Sequence, residues 1–495
     1  MRIVTVRDRL ITQHNSLFSM KIYFFLVLIL FGSTLFAQTN YVQRTANSAT
    51  PASFNTLVGP SAGNLSMSGE RSVFIGFSSG FSNTTGSQNT FMGYQAGYSN
   101  KTGGANIFTG NEAGYSNTSG GANIFTGNRA GYSNTSGIAN VFTGNQAGYS
   151  NTIGQNNIFT GGRTGYSNTT GNGNVFTGAE AGYSNKTGFG NVFTGTEAGY
   201  FNVTGRANVF TGNEAGFFST TGNNNVFTGA EAGWRNDTGS QNTFIGYQAG
   251  SNNTTGSNNI IIGPNSGTTI TTSDDNVLMG YNVQAGDGSG GHHVIIGGEA
   301  GGGIWAGVSN TLIGHQTGAE SLDLHHATAI GAGAQVSVSN AVVLGRDANV
   351  GIGTSAPTAR LHIRSAQPNE SGIRLEALTS TSPVLTASDR FLSVNERGDV
   401  VLARYRLTIT HTNEWADRVF SADYLLKPLA EVERYVQTKG HLPGMPSAED
   451  VANQGVDLAE LNAKLLEKIE ELTLHAIKQE KRIDQLEKQL IRQRN

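Results

Sequence analysis

The sequence contains no cysteine and only 9 prolines in 495 residues, and charged residues make up only 14% of it, where soluble domains carry roughly 25%. The missing cysteine excludes a disulfide framework and every thiolate metal site. The sparse charge, with a formal net value of −3, offers no basic surface for neutralising phosphates, so no nucleic-acid partner is expected. Beyond the N-terminal region no apolar run approaches the roughly 20 residues that cross a bilayer as a helix, so no integral membrane segment is expected in the mature chain. In place of all these stands glycine, with 67 residues. Stability must therefore come from packing and assembly.

Residues 22–31 form a short apolar run behind Lys21 and ahead of Gly32, Ser33 and the small residue Ala37. That three-part layout is the layout of a secretory signal peptide, and cleavage is expected after Ala37. Met20 stands where a conventional signal sequence of this kind starts. The expectation is an exported protein, secreted or held at the cell surface.

The fold is written in a repeat. Phenylalanine recurs at Phe74, Phe91, Phe108, Phe125, Phe142, Phe159, Phe176, Phe193, Phe210, Phe227 and Phe244, each 17 residues after the last, and Leu57, Ile261, Leu278, Ile295 and Leu312 continue the register on both sides. Glycine follows two positions later, as at Gly76, Gly93 and Gly110. Several glycines per unit exclude helix, since each costs about 1 kcal/mol relative to alanine. Ile, Phe, Thr and Tyr suit short strands and the glycines suit turns, so each unit is expected to make one coil of two strands of about four residues and two turns. Stacked coils place equal residues about 4.7 Å apart, in ladders of Phe, of Asn and of Tyr, the last from Tyr98 and Tyr115 to Tyr200. In Asn106-Ile107-Phe108-Thr109-Gly110, Phe108 points one way and Ile107 and Thr109 the other. One face enters the core. The other carries an apolar stripe that a neighbouring chain is expected to cover, which argues for an oligomer. The threonine column, Thr109 to Thr228, shares that face and is expected to be buried in the roll or at the subunit contact, although an exposed flat threonine array would suit an ice-binding solenoid.

Near Ala329-Ile330-Gly331 the spacing contracts to 14 residues, reaching Val343-Leu344-Gly345. The stretch from His326-Ala327-Thr328-Ala329-Ile330-Gly331 to Asn340-Ala341-Val342-Val343-Leu344-Gly345 resembles the head repeats of trimeric adhesins of Gram-negative bacteria. The resemblance covers residues 55–350 and implies a left-handed parallel β-roll, three chains about one axis, with a host surface, matrix or glycan as the possible ligand. Those adhesins carry a membrane-inserted β-barrel, whereas a charged helix occupies the tail here.

The overall expectation is an all-β solenoid with a small β connector and a C-terminal coiled coil. It divides into a signal region (1–37), a linker (38–54), the β-roll (55–350), a connector or neck (351–411), a further segment (412–457) and the coiled coil (458–495). In the connector, 391–394 and 399–403 read as strands around the turn Asn395-Glu396-Arg397-Gly398. Pro428 opens a helix through Val432 and Tyr435, and His441-Leu442-Pro443-Gly444-Met445-Pro446 is a loop. A heptad then holds, with Leu458, Leu465, Leu472, Gln479 and Leu486 at d and Asn462, Ile469, Ala476, Ile483 and Leu490 at a. Ile at a with Leu at d favours two strands, so the heptad itself does not argue for three. The tail from residue 412 resembles the chaperone segment of phage tail fibres and endosialidases, which aligns three chains and in some members cuts itself off with a Ser-Asp-x-x-x-Lys type motif. Here Ala416-Asp417-Arg418-Val419-Phe420-Ser421 has alanine at the nucleophile position and serine at the lysine position, so self-cleavage is not expected and no catalytic residue is assigned.

Other chemistry is thin. His292, His293, His315, His325 and His326 do not share one column, and no Asp or Glu is expected in register with them, so they are read as solvent-facing and no metal or cofactor is assigned. His441 is read as structural. Gly351-x-Gly353 is too short for a dinucleotide fingerprint, and Asn100-Lys101-Thr102 lacks the glycine that a phosphate loop needs. Asn-x-Thr/Ser triplets at Asn83, Asn100, Asn117, Asn134 and Asn185 arise from the repeat itself. Three readings result: a secreted or surface fibre of adhesin type, a self-processing tail-fibre protein, and an ice-binding solenoid. The binding residues stay unknown.

Overall fold

In the computed structural model, residues 42–43, 54–64, 66–286, 290–303, 306–367, 373, 390–404 and 415–494 are described. The signal region lies outside them. The chain divides into two compact units, Met1–Gly372 and Ile373–Asn495.

The first unit is a parallel β-solenoid. A single 19-stranded sheet consists of eighteen parallel strands from Thr56–Val58 to Val342–Leu344 and of Val42–Gln43, which adds antiparallel to the first edge. Pairing is in perfect register with the repeat: Phe108 lies against Phe91 and Phe125, and Phe193 against Phe176 and Phe210. The contraction near residue 330 keeps that register, with Ala329 against Val343. Val350–Ile352 and Leu361–Ile363 then pair parallel in a small sheet of their own.

Through Thr311–Ile313 each coil holds one three-residue strand, not two strands of four; a second strand, of two residues, forms only at Gly318–Ala319 and Gln335–Val336 among the described residues. The Gly-Tyr-Ser run fails to become a second strand because its neighbours are left-handed, with Glu112 at φ 53° and Gly114 at φ 60°. Glycine is required at the latter, since a Cβ there would lie 2.5 Å from the Phe108 ring. At Gly110 a Cβ would lie 2.3 Å from the Gly127 carbonyl oxygen of the next coil. Those two contacts set the tightness of the coil.

The interior is a stack of three kinds of side chain, Phe, Ala and Asn. The eleven phenylalanines are fully buried and stack at centroid separations of 4.7–4.9 Å with their planes 4–9° apart. So small a rotation per coil makes the sheet unusually flat for its length. Alanine (Ala96, Ala113, Ala130) fills the next buried position of most coils, with Ser79 and Thr164 in its place in the coils of Phe74 and Phe159. Two asparagine columns complete the core. In the first, each side-chain amide from Asn100 to Asn202 donates to the amide oxygen of the asparagine one coil earlier at 2.6–2.8 Å. In the second, Asn123 N–H donates to Asn106 Oδ1 at 3.0 Å, and Asn106 Nδ2 to the Gly120 carbonyl at 2.8 Å. A buried amide without partners would cost several kcal/mol. From Asn100 to Asn202 each coil supplies the partner for the next, and Ser219 interrupts the first column.

Within one chain the strand face opposite the Phe ladder is exposed, so the threonine column is not buried in the roll itself. Thr126, Thr143, Thr160, Thr177, Thr194, Thr211 and Thr228 point outward beside Ile or Val, because one strand per coil leaves no second layer to cover them.

In the second unit, Arg390–Val394 and Val400–Arg404 form the expected antiparallel hairpin. Helix Leu429–Lys439 follows Pro428 and stops at left-handed Gly440. A short helix, Ala448–Gln454, is fixed by a Ser447–Asp450 capping box that the sequence reading missed. The terminal helix spans Leu458–Arg494, and no helix among the described residues is long and apolar enough to cross a membrane.

The packing predicts a sharp contrast. Phe159→Ala should destabilise the array by about 3–5 kcal/mol, as deletion of a buried Phe does, and hydrogen exchange should rise in the coils on either side. Glu197 lies in the partly exposed left-handed column, so Glu197→Ala should change stability by no more than about 0.5 kcal/mol. Equal loosening by both variants in thermal melts and hydrogen exchange would refute the inside–outside assignment.

Candidate functional surfaces

The Phe ladder is entirely interior, so it shapes the surface without belonging to it. Three faces remain for function: the strand face, an aromatic edge and the tail.

On the strand face, the outward Ile or Val and Thr of one strand stand about 6.6 Å apart, and the array repeats every coil with the flatness of the Phe stack. From Ile107 to Thr228 the face carries no charge. Among the described residues, the hydroxyls of Thr126 to Thr228 in this column have no hydrogen-bond partner in the protein.

The aromatic edge is the tyrosine ladder, half-buried, with ring centroids 4.9–5.1 Å apart from Tyr98 to Tyr200. Phe81 extends it at one end and Phe217 and Trp234 at the other. Each ring covers the face of its neighbour, so the edge presents ring rims to solvent. The adjacent left-handed column is mixed: Arg129 pairs with Glu112 at 2.5 Å, and Arg163 with Glu180 at 2.7 Å and the Tyr183 hydroxyl at 2.8 Å. Further along it turns acidic, and burial together with Glu214 and Glu180 pushes the Glu197 carboxyl up. The sequence showed the mixture but not the backbone conformation.

The triplet asparagines Asn83, Asn100, Asn117, Asn134 and Asn185 are fully buried in the first amide ladder, which closes them to any modification. The histidines differ from expectation in two ways. His292 does have an acidic residue in register, with Nδ1 3.6 Å from Asp275 Oδ2 one coil earlier, and His325 has Asp323 at 3.1 Å. His293 is not solvent-facing: it is 1% exposed and occupies an asparagine position in the second ladder, between Asn276 and Asn310. No three metal-ligating side chains gather among the described residues. His441 stacks edge-on against Tyr435 at 5.6 Å.

The tail is built on the terminal helix. The 3-10 turn Ala416–Phe420 buries Ala416 and Val419 against it, Arg418 pairs with Glu467 at 2.6 Å, and the Tyr424 hydroxyl donates to Glu471. Glu470, on the same side, is pushed up by burial and by the Asp417 carboxyl. Arg418 and Glu467 are 49 residues apart, and nothing in a linear pattern announces such a pair. At the cleavage-motif position the methyl of Ala416 is buried, while Ser421 is exposed. The seven seam residues, Leu458, Leu465, Ile469, Leu472, Ile483, Leu486 and Leu490, are all exposed within one chain. Comparison of the chain with known protein families, with curated proteins and with solved structures gave no match.

His293 gives the solenoid a pH dependence. Its Nδ1 accepts the Asn310 N–H at 3.3 Å, so the folded state keeps it neutral, and burial pushes its pKa down. Stability is therefore fully present above the ordinary imidazole value of about 6.5 and falls as pH drops below it, because only the unfolded chain takes up the proton there. Protection factors of the coils around residues 276–310, taken against the intrinsic amide rate at each pH, should fall between pH 7 and pH 5. His293→Asn, which restores the ladder residue, should remove that fall; its persistence would refute the assignment.

Proposed function

We propose that the chain is an exported, non-catalytic structural fibre of adhesin type, which presents a β-solenoid and assembles as a homotrimer through uncovered apolar surfaces. The observation that carries the reading is the separation of roles: the solenoid satisfies its own core coil by coil, while the apolar seam of the terminal helix has no cover within the chain. A protein of this kind offers one surface many times over, which suits attachment to an extended target such as a host surface, a matrix or a glycan. Export rests on the apolar run of residues 22–31 behind Lys21. Self-processing finds no support at residue 416, where alanine replaces the nucleophile. Light scattering of the full-length chain should return three times the chain mass, and mass spectrometry an intact C-terminus after folding. A monomer at micromolar concentration would overturn the fibre reading. A C-terminal fragment abolished by one substitution within residues 412–425 would restore the self-processing one.

One observation favours a second reading, binding of ice or of an ordered water layer. The strand face is flat, uncharged and periodic, and its threonine hydroxyls are free to take water partners. On this reading the full-length chain shapes ice crystals, and Thr160→Lys with Thr177→Lys abolishes the effect. Normal ice growth in the presence of the unsubstituted chain rules it out, and a change of oligomeric mass in the lysine variant would assign the face to chain–chain packing.

A further inference from the structure

The terminal helix packs against its own chain on one side, and its apolar seam lies on another. The side bearing Glu467 and Glu470 meets the 3-10 turn. The heptad seam lies elsewhere around the helix, and beside it runs a groove of about 510 Å³ within the second unit. Its helix wall is Leu465, Ile469 and Leu472, all seam residues, and its opposite wall is Leu425, Leu429 and Leu442. Leu425 is 91% exposed and Leu472 66%, an uncommon state for leucines that face one another across a cleft.

We infer that this groove seats the terminal helix of a second copy of the chain, parallel to the first and in register with it. The seam that forms the groove wall continues uncovered through Ile483, Leu486 and Leu490, so one apolar stripe runs from the groove down the helix. A helix laid along that stripe enters the groove without bending. Charge fixes the direction. In the heptad given by Leu486 at d, His475 and Arg482 occupy g, and Glu480 and Glu487 occupy e. In a parallel in-register pair each g residue meets the partner's e residue five positions on, which sets His475 near Glu480 and Arg482 near Glu487 of the neighbouring copy. An antiparallel pair instead brings e against e and places the glutamates together. Among the described residues, Glu480, Arg482 and Glu487 make no ion pair within their own chain, so they are available for this role. The arm bearing Leu425 then closes over the incoming helix as a clasp.

The inference rests on the fibre reading only in needing a second copy. The chain has no cysteine, so single cysteines report cleanly. Full-length Leu486→Cys, treated with diamide, should give a chain pair on denaturing gels, because a parallel in-register pairing sets like d positions side by side. Lys488→Cys, on the outer face, should not. Adding Leu425→Asp to the Leu486→Cys chain should raise the protein concentration needed for half-maximal cross-linking by about tenfold, the loss that goes with one buried leucine. Circular dichroism should stay unchanged, since Leu425 is exposed in its own chain. Absence of the Leu486→Cys product, or equal product from Lys488→Cys, overturns the parallel register. Full cross-linking that ignores Leu425→Asp overturns the groove as the seat and leaves it to another occupant. The number of chains, read separately by light scattering, affects neither result.

Discussion

The solenoid depends on a side-chain amide that is buried and satisfied only by its copy in the next coil. Phenylalanine supplies most of the apolar burial, but rings alone would tolerate slippage along the stack. A buried asparagine does not, because a coil that shifts by one residue strands both a donor and an acceptor away from water. The amide columns therefore hold the register in which the Phe rings stack at 4.7–4.9 Å and the outward residues line up. Every surface property described above inherits its regularity from that constraint.

The same constraint explains which parts of the structure were legible in the sequence. Phe74 to Phe244 recur at a spacing that no other architecture needs, so solenoid, register and ladder followed from counting. The heptad from Leu458 likewise announced its helix. The number of strands per coil did not follow, because it turns on left-handed backbone at Glu112, Gln146 and their equivalents, residues that give no steric sign of adopting it. The threonines face outward within the chain for the same reason, since no second strand forms beside them in the roll.

Candidate sites were less legible than the fold. His293 looked like a loop residue because its neighbours are polar and glycine-rich; its place in a buried column shows only when residue 276 and residue 310 are set above and below it. The tail pairs Arg418–Glu467 and Tyr424–Glu471 join positions that no periodicity connects. Alternation and repeats read well when contacts are between neighbours in a pattern, and poorly when a loop folds back on a distant helix.

The amide ladder has a consequence for how such a protein changes over generations. From Asn100 to Asn202 each rung presents the same donor on one side and the same acceptor on the other, so these coils are interchangeable with one another. Slippage during replication of the repeated coding DNA, adding or deleting one whole unit in frame, leaves both new neighbours chemically matched. The length of the array is thereby open to inheritance as a quantity, adjustable in steps of one coil, while the chemistry of each coil stays as it was.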